Sequence, residues 1–291
     1  MNISPINRNP LPSPAGDVRS PMLGSVLQGM GKISPEDTER ILQLQRSEGL
    51  RFGEAALKLR LVGAADISRA LAIQFDYPYF AEGAGELGSR LVAACQPFSA
   101  EAEALRALRS QLALRWFGKG NKALAVIAPH PGDGCSTLAA NLAVVFSQLG
   151  ENTLLVDANL RQPAQHELFR LQEPRGLTDI LIDRAGLEAI SRIGDLPNLS
   201  VLGAGTMPPN PQELLNRKGF AELMDKLRAL YNIVIVDTAP ATRTADAQAV
   251  AIRCCGALLV SRLDVTPLRD LANVRDQLLV SDVQIVAGVV Q

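Results

Sequence analysis

The sequence lacks an excess of either charge: 29 Lys and Arg stand against 30 Asp and Glu over 291 residues, a net of −1. A nucleic-acid partner, which would leave a clear basic excess, is not expected. Long apolar runs are also missing; none reaches the ~18 residues that cross a bilayer. No basic-then-apolar leader opens the chain, so the expected location is the cytoplasm. Cysteine is scarce. Cys95, Cys135, Cys254 and Cys255 show neither disulfide-framework spacing nor a CxxC metal pair, and Cys254-Cys255 reads as small apolar filler before a strand. Tyrosine is scarcer still. Tyr77, Tyr79 and Tyr231 are the three present, and none lies in a tail before Gln291. What is there is a 47% apolar composition, enough for a full core, in a length that suits about two domains of roughly 100–200 residues.

One further absence lies inside the most informative stretch, residues 123–149. A short apolar run, 123–128, reads as a buried strand. The turn Pro129-His130-Pro131-Gly132-Asp133-Gly134 follows. Leu138, Leu142, Val145, Phe146 and Leu149 then recur at helical spacing. Strand, glycine turn and helix make a phosphate-binding loop, because the N–H groups of the turn and helix start converge where the helix dipole favours an anion. Gly132, Asp133, Gly134, Cys135, Ser136 and Thr137 are the candidate nucleotide-binding residues. The usual pattern is GxxxxGK[ST]. Here the second glycine and the hydroxyl, Gly134 and Ser136, are present, and the lysine is Cys135.

Further apolar runs at 153–157, 199–202, 233–236, 257–260 and 285–290 alternate with helical patterns at about 211–230, 245–253 and 268–279. This predicts an α/β fold, a mostly parallel sheet covered on both faces. Ligands then sit beyond the carboxyl ends of the strands. The run 153–157 ends in Asp157, and 233–236 is closed by Asp237. A carboxylate placed like that of Asp237 holds Mg²⁺ directly or through water.

The chain before this domain divides into three stretches. Residues 1–21 hold five prolines among Ser, Asn and Gly and read as a disordered tail. Residues 22–80 carry a repeat of period 29: Leu23 pairs with Phe52, Gly24 with Gly53, Ile33 with Val62, Leu42 with Leu71 and Gln45 with Gln74. Each copy predicts a short helix, a turn and a second helix capped by Ser34 or Asp66, giving a small helical domain. Residues 81–97, rich in Gly and Ala, read as a linker. The α/β domain is placed at 98–291, and Ser99 is expected to cap its first helix, which runs to about Phe117. There Glu103, Arg106 and Arg109 form ExxRxxR on one face; spacing alone makes this a solvated charged face.

Residues 22–80 resemble the N-terminal domain of type II secretion and type IV pilus assembly ATPases, in which RLGxxL…LxxxLxxQ motifs bind cyclic di-GMP. The resemblance implies Arg51, Gly53 and Gln74 as contacts, with Met22 in place of arginine in the first copy. Residues 97–291 resemble the BY-type P-loop tyrosine kinases of polysaccharide export, relatives of the partition and division-site ATPases. This rests on ExxRxxR, PGDGCSTLAANLA, LLVDANLRQPAQHELF, PPNPQELL (208–215) and VIVDTAP, in family order. It implies ATP and Mg²⁺ as cofactors, Ser136, Asp157 and Asp237 as the metal residues, Asp157, Asp237 and Arg161 as catalytic residues, and Glu103, Arg106 and Arg109 at the interface of a homo-oligomer. It also implies a membrane chain-length determinant (polysaccharide co-polymerase) as partner, with the protein peripheral at the inner membrane.

Three departures bear on activity: Cys135 for lysine, Asn159 for a second carboxylate, and no tyrosine-rich tail in the sequence as it stands. One reading is a kinase relative that regulates exopolysaccharide chain length or export with reduced activity. The other is a pseudokinase scaffold with weak or no nucleotide binding. A partition ATPase is disfavoured, since the extra lysine near the start of the loop is absent.

Overall fold

The computed structural model describes residues 22–75, 77–80 and 90–291. The predicted tail 1–21 and the first part of the predicted linker, 81–89, lie outside the described residues. The chain divides into two compact units between residues 76 and 77.

The first unit is helical: α1 (Leu23–Gly29), α2 (Pro35–Glu48), α3 (Phe52–Lys58) and α4 (Ala64–Gln74). α1 packs on α4 and α2 on α3, so the repeats cross over one another. The core consists of repeat-equivalent pairs, Val26 with Ala55, Leu27 with Ala56, Ile33 with Val62 and Ile41 with Ala70, all buried in one cluster. The shared glycines permit the crossing. A β-carbon on Gly24 would lie 3.1 Å from the Phe52 ring, and one on Gly53 would lie 3.4 Å from Ile67 and 3.7 Å from Leu23. Ser34 caps α2 in a reciprocal box with Asp37. In the second copy the capping position is Gly63, not Asp66; Asp66 sits at the third helical position and accepts the Gly63 N–H at 3.0 Å.

The second unit opens at residue 77, so residues 77–80, grouped above with the helical domain, belong to the α/β unit. α5 (Val92–Cys95) follows, with Leu91, Ala93 and Ala94 buried. The second half of the expected linker is therefore core. Asn141 holds it there: its Oδ1 accepts the Ala93 N–H at 2.9 Å and its Nδ2 donates to the Arg90 carbonyl at 2.7 Å. α6 (Ala100–Arg115) starts at Ser99, whose hydroxyl oxygen accepts the Ala102 N–H.

Next come β1 (Ala123–Ile127), α7 (Cys135–Gln148), β2 (Thr153–Asp157), α8 (Gln165–Leu168), α9 (Leu177–Leu181), β3 (Ser191–Arg192) and β4 (Leu199–Leu202). α10 (Pro211–Asn216), α11 (Lys218–Leu230), β5 (Ile233–Asp237), α12 (Asp246–Cys254), β6 (Gly256–Ser261), α13 (Leu268–Val280) and β7 (Gln284–Val290) complete the unit. The pattern expected over 211–230 is two helices because Arg217 is extended, with ψ 154°.

The sheet order is β3-β4-β2-β5-β1-β6-β7. The short β3 is antiparallel to β4, and the other pairings are parallel. Side chains alternate across the sheet. Ala125, Ile127, Val156 and Val236 face one apolar layer, and Leu124, Val126, Leu155 and Ile235 face the other. Strands buried on both faces need continuous apolar runs, which is why these segments stand out in the sequence.

Candidate nucleotide site

The loop leaves β1 at Ile127 and enters α7 at Cys135. Gly132 and Gly134 have φ of 85° and 87°, left-handed values that a β-carbon resists. They turn the chain so that the first N–H groups of α7, which have no partner inside the helix, face outward. No acidic residue occupies that first turn. Asp133 does not compete for the position, because it is buried and braces the loop: its Oδ2 accepts the His130 N–H at 2.9 Å and its Oδ1 accepts the Thr266 hydroxyl at 2.8 Å. A second brace is the His130 Nε2 contact with Asp270 Oδ2, 2.9 Å.

Cys135 does not reach over the loop. Its Sγ–H donates to the Val126 carbonyl at 3.0 Å, so the side chain turns in beneath the loop towards the strand ends. Burial, and then the charge of Asp237, push the thiol well above its usual range. It therefore stays protonated and is no nucleophile.

Asp157 and Asp237 lie opposite one another on adjacent strands, and both are fully buried. Asp157 is saturated with donors. Its Oδ1 accepts the Asn159 N–H at 3.1 Å, and its Oδ2 accepts the N–H groups of Ala164 and Gln165, each at 3.0 Å. Burial and then the charge of Asp237 still push Asp157 up to about 7. Asp237 is raised by burial, while the neighbouring Ser136 hydroxyl and the Gln165 amide act the other way. Asp237 Oδ2 accepts Gln165 Nε2 at 2.8 Å, and its Oδ1 is buried without a hydrogen-bond partner among the described residues.

An open carboxylate oxygen beside a loop hydroxyl suits Mg²⁺, which keeps several waters and is held by one or two carboxylates plus substrate phosphates. No cluster of three or more His, Cys, Asp or Glu able to hold a metal occurs among the described residues. Phosphate and water would have to complete the shell.

The other candidates lie apart from this centre. Arg161 is held by Asp246 at the start of α12, Nε to Oδ2 at 2.6 Å. Asn159 closes a local turn, its Oδ1 accepting the Gln162 N–H at 3.1 Å. On α6, Arg106 donates to Glu103 and, at 2.7 Å, to the Pro97 carbonyl, while Arg109 donates to the Val145 carbonyl at 2.9 Å. Glu103 is left exposed, with 71% of its side chain accessible. In the helical unit Arg51 is exposed at the start of α3, with its N–H donated to Glu54, and Gln74 Oε1 is buried without a hydrogen-bond partner among the described residues.

Sequence reasoning missed Gln165. It is fully buried, its N–H serves Asp157, and its Nε2 serves both Asp237 and, at 3.1 Å, the Ser136 carbonyl. The one available signal was a polar residue placed eight positions after Asp157.

A mostly parallel sheet with a glycine loop after β1 and carboxylates at the ends of β5, its neighbour, and of β2 beyond it defines a P-loop nucleotide-binding fold. No family model matches the chain. It is 36% identical over 195 residues to the tyrosine-protein kinase YwqD of Bacillus subtilis, covering 66% of this chain and 82% of that one. It is also 36% identical over 203 residues to the putative tyrosine-protein kinase EpsB of Ralstonia solanacearum, of which it spans only 27%. Among solved structures, the kinase domain of the Escherichia coli tyrosine kinase ETK superposes with a TM-score of 0.66 at 29% identity, covering 69% of this chain and 79% of that one. The division-site protein MinD of Pyrococcus horikoshii, at 22% identity and a TM-score of 0.51, shares the fold. The chain belongs to the bacterial tyrosine-protein kinases of the P-loop type. Among the described residues no helix is long and apolar enough to cross a membrane.

Proposed function

We propose that the protein is an ATP-Mg-binding, tyrosine-kinase-like regulator of exopolysaccharide chain length or export, working with a membrane chain-length determinant. The observation that carries the nucleotide part is the open Asp237 Oδ1, beside Ser136 and beneath the start of α7. The N–H groups of residues 132–137 would hold the phosphates, and Ser136 with Asp237 would hold the cation, which neutralises phosphate charge when bound. Asp157, opposite Asp237 on the adjacent strand, would serve as the base, a role that rests on the family relationship. Arg161 would reach a phosphate only after leaving Asp246. The polysaccharide role, the partner and assembly through Glu103, Arg106 and Arg109 rest on the family relationship.

The inward turn of Cys135 favours a second reading, a scaffold with slow chemistry or none. Phosphoryl transfer is mostly positioning and charge stabilisation, and losing one such donor costs about 2.7–4 kcal/mol in a comparable oxyanion site. Calorimetry with ATP-Mg tests the first reading, which fails if millimolar nucleotide gives no heat. If it binds, Cys135→Lys with Asn159→Asp separates the two: phosphorylation of a tyrosine on a partner should rise by about 10²–10³-fold. No rise means that charge is not what limits the reaction.

A further inference from the structure

We infer that Gln165 is a positioning residue for the cation site, an inference that rests on the nucleotide-binding reading above. The Ser136 carbonyl can only accept, so the amide nitrogen of Gln165 must face it, and the same nitrogen meets Asp237 Oδ2; the orientation of the amide is fixed. Ser136 is the second residue of the loop helix, and Asp237 ends β5. One side chain therefore ties the hydroxyl-bearing turn to the carboxylate, while its own backbone N–H, at 3.0 Å, ties Asp157 to the same point. The amide occupies Oδ2 of Asp237 and leaves Oδ1 open.

Two buried acceptors in this cluster then have no donor among the described residues, Asp237 Oδ1 and Gln165 Oε1. An unmet buried acceptor is costly, and a cation with its water shell meets that demand. Gln165 sets which oxygen of Asp237 faces the cation, and its Oε1 is available to a water of the cation's shell. Such supporting partners typically change metal affinity by about 10–100-fold.

The test uses the full chain with ADP and Mn²⁺, read by loss of the free-ion electron paramagnetic resonance signal. Gln165→Met and Gln165→Leu both remove the amide at similar volume. Each is compared with wild type after a melting curve establishes folding. The expected result is Mn²⁺ affinity weakened by about tenfold or more, with ADP affinity in EDTA unchanged. A residue that merely filled space would lower the melting temperature and leave Mn²⁺ affinity within twofold, and that outcome overturns the inference. Should neither variant fold, the wild-type Gln165 side-chain amide resonance decides: it should shift when Mg²⁺ is added to the ADP complex, and a static resonance overturns the inference. If wild type binds no ADP but still takes up Mn²⁺, the nucleotide reading fails, and the same comparison is made with Mn²⁺ alone. Wild type that takes up neither refutes both.

Discussion

Arg161 and Asp246, 85 positions apart in sequence, form a two-pronged ion pair, Nε to Oδ2 at 2.6 Å and Nη2 to Oδ1 at 3.3 Å. The Asp246 side chain is 1% exposed and that of Arg161 is 40% exposed. Arg161→Ala would strand a buried carboxylate. Breaking a fully buried pair costs about 3–5 kcal/mol; the exposed guanidinium lowers the expected loss to about 2 kcal/mol. Asp246→Asn, which leaves no buried charge, should cost less. Urea denaturation of both variants checks the order.

The carboxylate pair makes stability fall as pH rises near neutrality. Asp157 is raised to about 7 in the folded protein from an ordinary value of 3.8. Between these values the folded state binds more protons than the unfolded one, so this site's contribution is most favourable below about pH 4 and is lost as pH rises through 7. Asp157→Asn should flatten the melting curve's pH dependence between pH 5 and pH 8, by a few kcal/mol at most. Differential scanning calorimetry across that range, without divalent ions, reads it. An unchanged slope would refute the assignment.

Thiol labelling should discriminate sharply. Cys255 is exposed and Cys254 buried, while Cys135 is half-buried with its thiol turned onto the Val126 carbonyl; desolvation pushes both Cys135 and Cys254 up, Cys254 to about 12. The thiolate is the reactive form. Iodoacetamide at pH 8 should modify Cys255 within minutes and leave Cys135 and Cys254 intact until the protein unfolds, as peptide mass mapping will show. Early labelling of Cys135 would mean that it does not sit beneath the loop.

In the helical unit Arg60 has φ 56°, at the position equivalent to Gly31 with φ 67°. A left-handed non-glycine residue costs roughly 1–2 kcal/mol, partly offset by the greater freedom of glycine when unfolded. Arg60→Gly is therefore expected to stabilise the protein by about 0.5–1 kcal/mol, measured by urea denaturation of the full chain. Gly31→Ala should do the reverse.

Much of the site was legible because its parts are local. The glycine turn, Ser136, Asp157 and Asp237 each follow an apolar strand, and a parallel sheet gathers strand ends automatically. Gln165 was not legible: nothing in its neighbours announces that its amide will meet Asp237, 72 positions away. The Arg161–Asp246 pair was not legible either, because its two residues lie 85 positions apart. The stretch 90–97 was read as linker because small residues look alike in a loose connection and in a tight helix contact. It took Asn141, on another element, to reveal which it was.

The helical repeats have a consequence for recognition between copies. Their equivalent core positions are filled unequally: the first copy supplies Val26, Leu27 and Ile41 where the second has Ala55, Ala56 and Ala70. Two first copies pressed together would be overfilled, and overpacking costs about 1–3 kcal/mol. Two second copies would leave voids. Each half therefore complements the other half better than a second copy of itself.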